Sequence, residues 1–291
     1  MIPNRKRLLC VNPVGFHRIA YTAWGDEHCS QPVVCAHGFS RNSRDFDPLA
    51  RAIAQTRSVY CPDAVGRGRS DWLLDRSHYN YDQYFRDAAT LAGHVTASAA
   101  DGDRSDDTLD WIGTSMGGIV GMMLAAQRNT PVRRLVINDI GAQISAASLN
   151  RIGAYVRETP VFESLEAYRH HLADIHASFG PLTEAQWQHL AQHSHRRDEQ
   201  GFRPHYDPQI ASAFDNPIDQ DVELWDVWSA IRVPTLLIWG TQSDLLSRDT
   251  IDRMQAIKPD MQVLEIADAG HAPALMRDAE IDAIRDFISA D

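Results

Sequence analysis

The chain has no apolar run approaching the roughly 20 residues of a membrane span, so a transmembrane helix is not expected. Cysteine is scarce. The four present, Cys10, Cys29, Cys35 and Cys61, show neither C-x-x-C nor another metal-ligand spacing. Arg5, Lys6 and Arg7 are followed by apolar runs too short for a signal-peptide core, so the thiols are expected to be reduced and the protein cytoplasmic. Positive charge is also in short supply. The 28 Lys and Arg are outnumbered by 39 Asp and Glu, a net charge of −11, which argues against nucleic acid or an anionic membrane as the main partner. There is no internal repeat and no low-complexity segment. What remains is a chain of 291 residues, long enough to bury roughly 75% of the surface its unfolded form exposes.

Short β-branched runs alternate with helical patterns along the first half. Leu8 to Val11 and His17 to Trp24 read as a hairpin around Asn12-Pro13-Val14-Gly15. Pro32 to Ala36, Ser58 to Cys61, the residues before Gly113, and Arg134 to Asn138 read as buried strands. Asp47 to Gln55, Tyr81 to about Ala99 and Met116 to Arg128 read as helices, with a polar loop at Asp101 to Asp107. This alternation predicts a mostly parallel sheet with helices on both faces. It breaks after Gly141: from about Ala142 to Trp228 only helices are expected, at Leu149–Arg157, Leu165–Ala177, Glu184–His193 and Val222–Ile231. Seven of the 13 histidines fall between His170 and His205 in that stretch. The strand pattern then resumes at Pro234 to Gly240 and Met261 to Ile266, and an amphipathic helix closes the chain from Glu280 to Ile288.

Gly113-Thr114-Ser115-Met116-Gly117 fits G-x-S-x-G at a strand-to-helix junction. A serine on so sharp a turn needs neighbours almost without side chains, and the helix that follows turns its first amides toward negative charge developing beside it. Serine also needs a base, and the base a group to hold its tautomer. His271, in a loop just past a strand, is the expected base. Asp244, also just past a strand, is the expected acid, with Asp139 as its competitor. Alternatively, Asp244 caps the helix near Asp249 to Ile257. The oxyanion formed on attack needs two amides, expected from Met116 and from Phe39 in His37-Gly38-Phe39-Ser40. His37 itself is expected to be a structural hydrogen-bonder.

Taken together, His37-Gly38-Phe39, Asp63 to Ser70, Gly113 to Gly118, Trp239 to Asp244 and Gly270-His271 resemble the α/β-hydrolase superfamily from about residue 31 to the end. The resemblance implies an α/β fold with an eight-stranded sheet whose second strand is antiparallel, and a helical cap inserted after the sixth strand. It places the core at 1–141 and 229–291 and the cap at 142–228. It also implies that no metal or organic cofactor is needed. A serine in the elbow argues against the dehalogenase and epoxide-hydrolase branches, whose nucleophile is aspartate. It suits ester, lactone or thioester hydrolysis through an acyl-enzyme, carbon-carbon hydrolysis of a meta-cleavage-type diketo acid, or, in a different class, a small-ligand receptor that keeps the pocket. Arg41 and Arg44 are possible substrate-carboxylate ligands. His189 and His193 have the i, i+4 spacing of a zinc pair, but no acidic or cysteine partner stands at helical spacing, and an exposed helix face is the expected reading.

Overall fold

The computed structural model describes residues 2–26, 31–99 and 107–290. Cys29 and most of the expected loop at 101–107 lie outside the described residues. Eight strands form one sheet: β1 (Asn4–Asn12), β2 (Gly15–Trp24), β3 (Val33–Ala36), β4 (Val59–Pro62), β5 (Leu109–Thr114) and β6 (Val132–Asn138), then the eleventh and twelfth strands of the chain, β11 (Thr235–Gly240) and β12 (Gln262–Ile266). Their order across the sheet is β1-β2-β4-β3-β5-β6-β11-β12, and β2 alone runs antiparallel to its neighbours.

The central strands are apolar along their whole length because both faces are covered. Consecutive residues feed opposite layers: Trp111, Leu135, Ile137 and Leu237 enter one core, while Ile112, Val136, Leu236 and Ile238 enter the other. The second core is closed by α1 (Asp47–Ile53) and the last helix of the chain, α9 (Asp278–Ser289). The first is closed by α2 (Tyr81–Ala99) and α3 (Met116–Ala125), and by two later helices, α7 (Trp225–Ala230) and α8 (Arg248–Ile257). Ser247, rather than Asp244, caps α8, its hydroxyl accepting from the Thr250 amide at 3.1 Å. No helix of the described residues is long and apolar enough to cross a membrane.

The segment between β6 and β11 leaves the sheet at its carboxyl edge. It contains the expected helices α4 (Ala146–Arg157), α5 (Leu165–Ile175) and α6 (Glu184–Ser194), each with a Ser or Thr cap, but it is not purely helical. β7 (Gln143–Ile144) pairs with β10 (Val222–Glu223), so the entry and exit of the insertion are hydrogen-bonded to each other. β8 (His195–Asp198) and β9 (Gly201–Pro204) form a hairpin directly after α6. The helix expected from Val222 therefore starts later, at Trp225. Strands of two to four residues carry too few side chains to display a period of two.

His205-Tyr206-Asp207 fastens this insertion to the core. Gly68 donates to the His205 carbonyl at 2.9 Å, the Asp207 amide donates to Gly66 at 2.7 Å, and the Tyr79 hydroxyl donates to the buried Asp207 carboxylate at 2.6 Å. Burial, followed by the bond to Asp207, pushes the Tyr79 phenol well above its ordinary pKa, so the donor stays protonated. Tyr79→Phe should cost about 1–3 kcal/mol, because it strips a donor from a buried carboxylate and an acceptor from the Leu73 amide. Denaturant unfolding checks this; an unchanged midpoint would mean that the strap does not hold the two parts together.

Candidate active site

The loops after β3, β5, β6, β11 and β12 all emerge at the carboxyl edge of the sheet. The chain reverses its direction of sheet-building there, with β4 on one side of β3 and β5 on the other. Crevices of parallel sheets open at such points. Ser115 sits there between β5 and α3 with φ 50° and ψ −112°, a region that non-glycine residues rarely occupy. Its neighbours show why the turn needs glycine. A Cβ on Gly113 would lie 2.2 Å from the Gly117 carbonyl oxygen, and one on Gly117 would lie 2.1 Å from that of Ala36. The Ser115 amide donates to Asn138 at 3.0 Å, and the Trp111 indole donates to the Gly117 carbonyl at 2.9 Å, so the turn is held from both sides.

Ser115 Oγ lies 3.0 Å from His271 Nε2, and His271 Nδ1 lies 2.8 Å from Asp139 Oδ2. A carboxylate can only accept, so Nδ1 carries the ring proton and Nε2 is left as the acceptor for the Ser115 hydroxyl. The carboxylate hydrogen-bonded to His271 is therefore Asp139, not the expected Asp244. Asp244 is half-exposed and forms a two-pronged ion pair with Arg151 of α4, at 2.7 and 2.9 Å. Asp139 is fully buried, has φ 53°, and also accepts from the Gly240 amide at 2.9 Å and the Ser243 hydroxyl at 2.6 Å. The left-handed backbone at Asp139 turns its carboxylate back under the His271 loop.

Phe39 lines the same cleft as Ser115 and His271, and Met116 opens α3, where the first amides of a helix have no intrahelical acceptor. His37 is buried with both ring nitrogens committed: Nδ1 donates to the Gly38 carbonyl at 2.7 Å, and Nε2 accepts from the Ala64 amide at 2.9 Å. Burial lowers its pKa, which keeps the ring neutral. Sequence reasoning missed Arg67. Fully buried, it donates to the Phe39 and Val65 carbonyls at 2.8 Å and to the Tyr84 hydroxyl at 2.9 Å, it approaches Met116 Sδ at 3.9 Å, and it lies over the rings of Phe39 and Tyr84. One guanidinium thus braces both residues expected to supply oxyanion amides. The only sequence signal was its place between two glycines in Gly66-Arg67-Gly68.

The cleft, a narrow space of about 60 Å³, is floored by the core and roofed by the insertion, which contributes Arg151, Ile152, Tyr155, Ile175, His176 and Phe179. Burial, reinforced by Arg41, holds the pKa of His176 well below that of a free imidazole, so its ring is neutral there. Arg41 also lines the cleft, but its guanidinium is paired with Asp45 through two 2.8 Å bonds. Arg44 does not line it. It pairs with Asp47 and faces a different, polar cavity. Both arginines find acids three or four residues along, which leaves Arg151 as the cleft arginine with an exposed partner. Asp47 does come near His189 and His193, as a helical spacing could not reveal, but Arg44 takes that carboxylate and also contacts His193 Nδ1 at 3.4 Å.

Residues 33–284 match the model of the Alpha/beta hydrolase family. The chain is 38% identical over 281 residues, covering 94% of itself and 93% of the relative, to a 3-hydroxybutyrate-oligomer hydrolase of Cupriavidus necator. Among solved structures it resembles a putative hydrolase of Rickettsia typhi, with TM-score 0.89, 32% identity and 99% of each chain covered. It also resembles an α/β hydrolase of Novosphingobium aromaticivorans, with TM-score 0.84, 29% identity and 99% of each chain covered.

Two single substitutions separate the acids. Asp139→Asn should lower kcat by about 10³- to 10⁴-fold, because the amide no longer fixes the His271 tautomer. Asp244→Asn should leave kcat within about threefold, since its carboxylate touches only Arg151. Steady-state rates on an activated short-chain aryl ester decide the matter, and the reverse pattern would return the role to Asp244.

Proposed function

The chain belongs to the α/β-hydrolase family, and from that premise we propose that it is a serine hydrolase working through an acyl-enzyme on short oligoesters of a 3-hydroxy acid. The observation that carries this reading is the unbroken hydrogen-bonded chain from Ser115 through His271 to Asp139 at the base of a roofed cleft.

As Ser115 Oγ attacks the ester carbonyl carbon, His271 Nε2 takes its proton. The imidazolium that forms is stabilised by the Asp139 carboxylate. The amides of Phe39 and Met116 hold the oxyanion, each worth on the order of 3 kcal/mol in the transition state. Collapse of the tetrahedral intermediate breaks the carbon-oxygen bond, and His271 returns its proton to the departing alkoxide. Water, deprotonated by the same nitrogen, then attacks the acyl-enzyme and releases a free acid and Ser115. No cofactor enters any of these steps.

The substrate class rests on two supports. The relative at 38% identity is by its name an oligomer hydrolase. The cleft wall carries both apolar residues, Phe39, Ile152 and Phe179, and polar ones, Tyr155, His176 and Arg151, a mixture suited to a chain that bears both methyl groups and ester oxygens. A short oligoester also ends in a free carboxylate. Arg151, half-exposed and held only by half-exposed Asp244, can exchange one carboxylate for the other at small cost. The name of the relative favours ester over carbon-carbon hydrolysis, and the intact hydrogen-bonded chain favours an enzyme over a receptor.

Ser115→Ala should abolish labelling by a serine-directed fluorophosphonate and cut hydrolysis of the 3-hydroxybutyrate dimer and trimer by at least about 10⁴-fold. The proposal fails if the alanine variant keeps its turnover or if the phosphonate labels another residue. Loss of a dienone chromophore with negligible esterase activity would point instead to carbon-carbon hydrolysis. Separately, Arg151→Gln should raise KM for free-acid oligomers by about tenfold while leaving their methyl esters unaffected. Equal effects on both substrate forms would assign Arg151 to holding the insertion rather than the substrate.

A further inference from the structure

A second cavity lies on the other side of the loop that follows β3, along the seam between the insertion and the core. Its volume is about 210 Å³, and it shares no lining residue with the Ser115 cleft. Its core wall carries Arg5 from β1, Thr22 from β2, Asn42, Ser43 and Arg44 from the loop after β3, and Arg69 from the loop after β4. Its other wall is supplied by the insertion: Gln192, His193, His195 and His205.

Three guanidinium groups from three separated segments therefore face one space in a chain whose net charge is −11. Arg44 is neutralised by Asp47. Neither Arg5 nor Arg69 has a carboxylate partner for its side chain among the described residues, and they are close enough for Arg69 to be the main cause of a lowered pKa at Arg5. Asp63, the acid on the cavity wall, is buried, and its two oxygens are occupied by the Ser43 and Arg69 backbone amides at 2.8 and 2.9 Å. Arg44 donates to His193 Nδ1, which leaves that ring's Nε2 to carry its proton as a further donor. Burial and then Arg44 push the His193 pKa down to about 4, so the ring is neutral at physiological pH and its charge does not add to the arginines. Arg5 and Arg69 are exposed side chains, so the arrangement offers accessible positive charge and unspent donors, with room beyond a single small ion.

We propose that this seam cavity binds the phosphate group of a small phosphorylated ligand, held mainly by Arg5 and Arg69 with His193 beside it. Dianionic phosphate is favoured over a carboxylate because it presents acceptors in several directions, matching guanidinium groups that arrive from separate segments. Bound there, the anion bridges the core to the insertion and stabilises the folded state by RT ln(1 + c/Kd), where c is the free ligand concentration, a term that keeps rising with the logarithm of c after the site is full. The site is independent of the reading given to Ser115.

The test is thermal unfolding and titration calorimetry with inorganic phosphate, at ionic strength held constant with chloride. The wild type and Ser115→Ala should both bind phosphate saturably in the calorimetric titration and show a Tm that climbs with the logarithm of phosphate concentration. An Arg5→Gln/Arg69→Gln double variant, its fold checked by circular dichroism, should bind phosphate at least about tenfold more weakly. An Arg86→Gln/Arg128→Gln variant, which removes two exposed charges outside the cavity lining, should bind like the wild type. The proposal is overturned if the wild type shows no saturable binding, if the Arg5/Arg69 variant binds as tightly as the wild type, or if the Arg86/Arg128 variant loses binding equally. Acetate and 3-hydroxybutyrate serve as the carboxylate arm; binding as tight as phosphate would overturn the assignment to a phosphate group.

Discussion

A carboxylate taken out of water costs several kcal/mol unless donors replace its hydration. Asp139 is fully buried, and its donors are the Gly240 amide and the Ser243 hydroxyl from the turn after β11, and the His271 imidazole from the loop after β12. The charge therefore fixes two loops that are distant from it in sequence. Asn138, the preceding residue, donates its side-chain amide to Thr114 Oγ1 at 3.1 Å and to the Pro273 carbonyl at 2.8 Å. Through Asn138 and Asp139 together, the end of β6 sets the separation between the serine turn and the histidine loop. The 3.0 Å contact from Ser115 to His271 follows from that framing.

How much of this was legible depends on how local each constraint is. The serine turn announces itself because its steric demand acts two residues either side, on Gly113 and Gly117, and leaves a pattern readable without neighbours. The acid does not. Asp139 and Asp244 both follow strands, and both satisfy the order serine, acid, histidine. What separates them is tertiary: complete burial and a left-handed backbone at one, half-exposure and an arginine partner at the other. Even Ser243, beside the rejected aspartate, contributes to the site by donating to Asp139. The Gly240 to Asp244 stretch thus meets Asp139 through the Gly240 amide and the Ser243 hydroxyl rather than through the Asp244 carboxylate.

The insertion was legible as a change of rhythm but not as a shape. Helical period survives in α4, α5 and α6 because each has an apolar stripe to bury. The two small sheets leave no such trace. β7 and β10 owe their pairing to the closeness of the two crossings, not to any preference in Gln143-Ile144 or Val222-Glu223. His205-Tyr206-Asp207, opaque in sequence, has meaning only opposite Gly66 to Gly68. The same core loop carries Arg67 inward to Phe39 and Met116, so the segment that anchors the insertion also braces the residues beside Ser115.

Arginine placement shows why charge type in a sequence does not by itself identify a ligand contact. Arg41 and Arg44 stand close to the loop that borders the cleft, yet their helical spacing to Asp45 and Asp47 lets each form an ion pair before any substrate arrives. Displacing such a partner would leave a largely buried carboxylate without its cation, a cost of several kcal/mol. Arg151 is held by an acid that is half in water, and Arg5 and Arg69 by none among the described residues. Release of Asp244 leaves it hydrated rather than stranded. Availability to an incoming anion therefore follows the burial of the existing partner more than the nearness of the arginine to the serine. That ranking puts the cleft arginine on the insertion and the two unpaired ones on the core side of the seam.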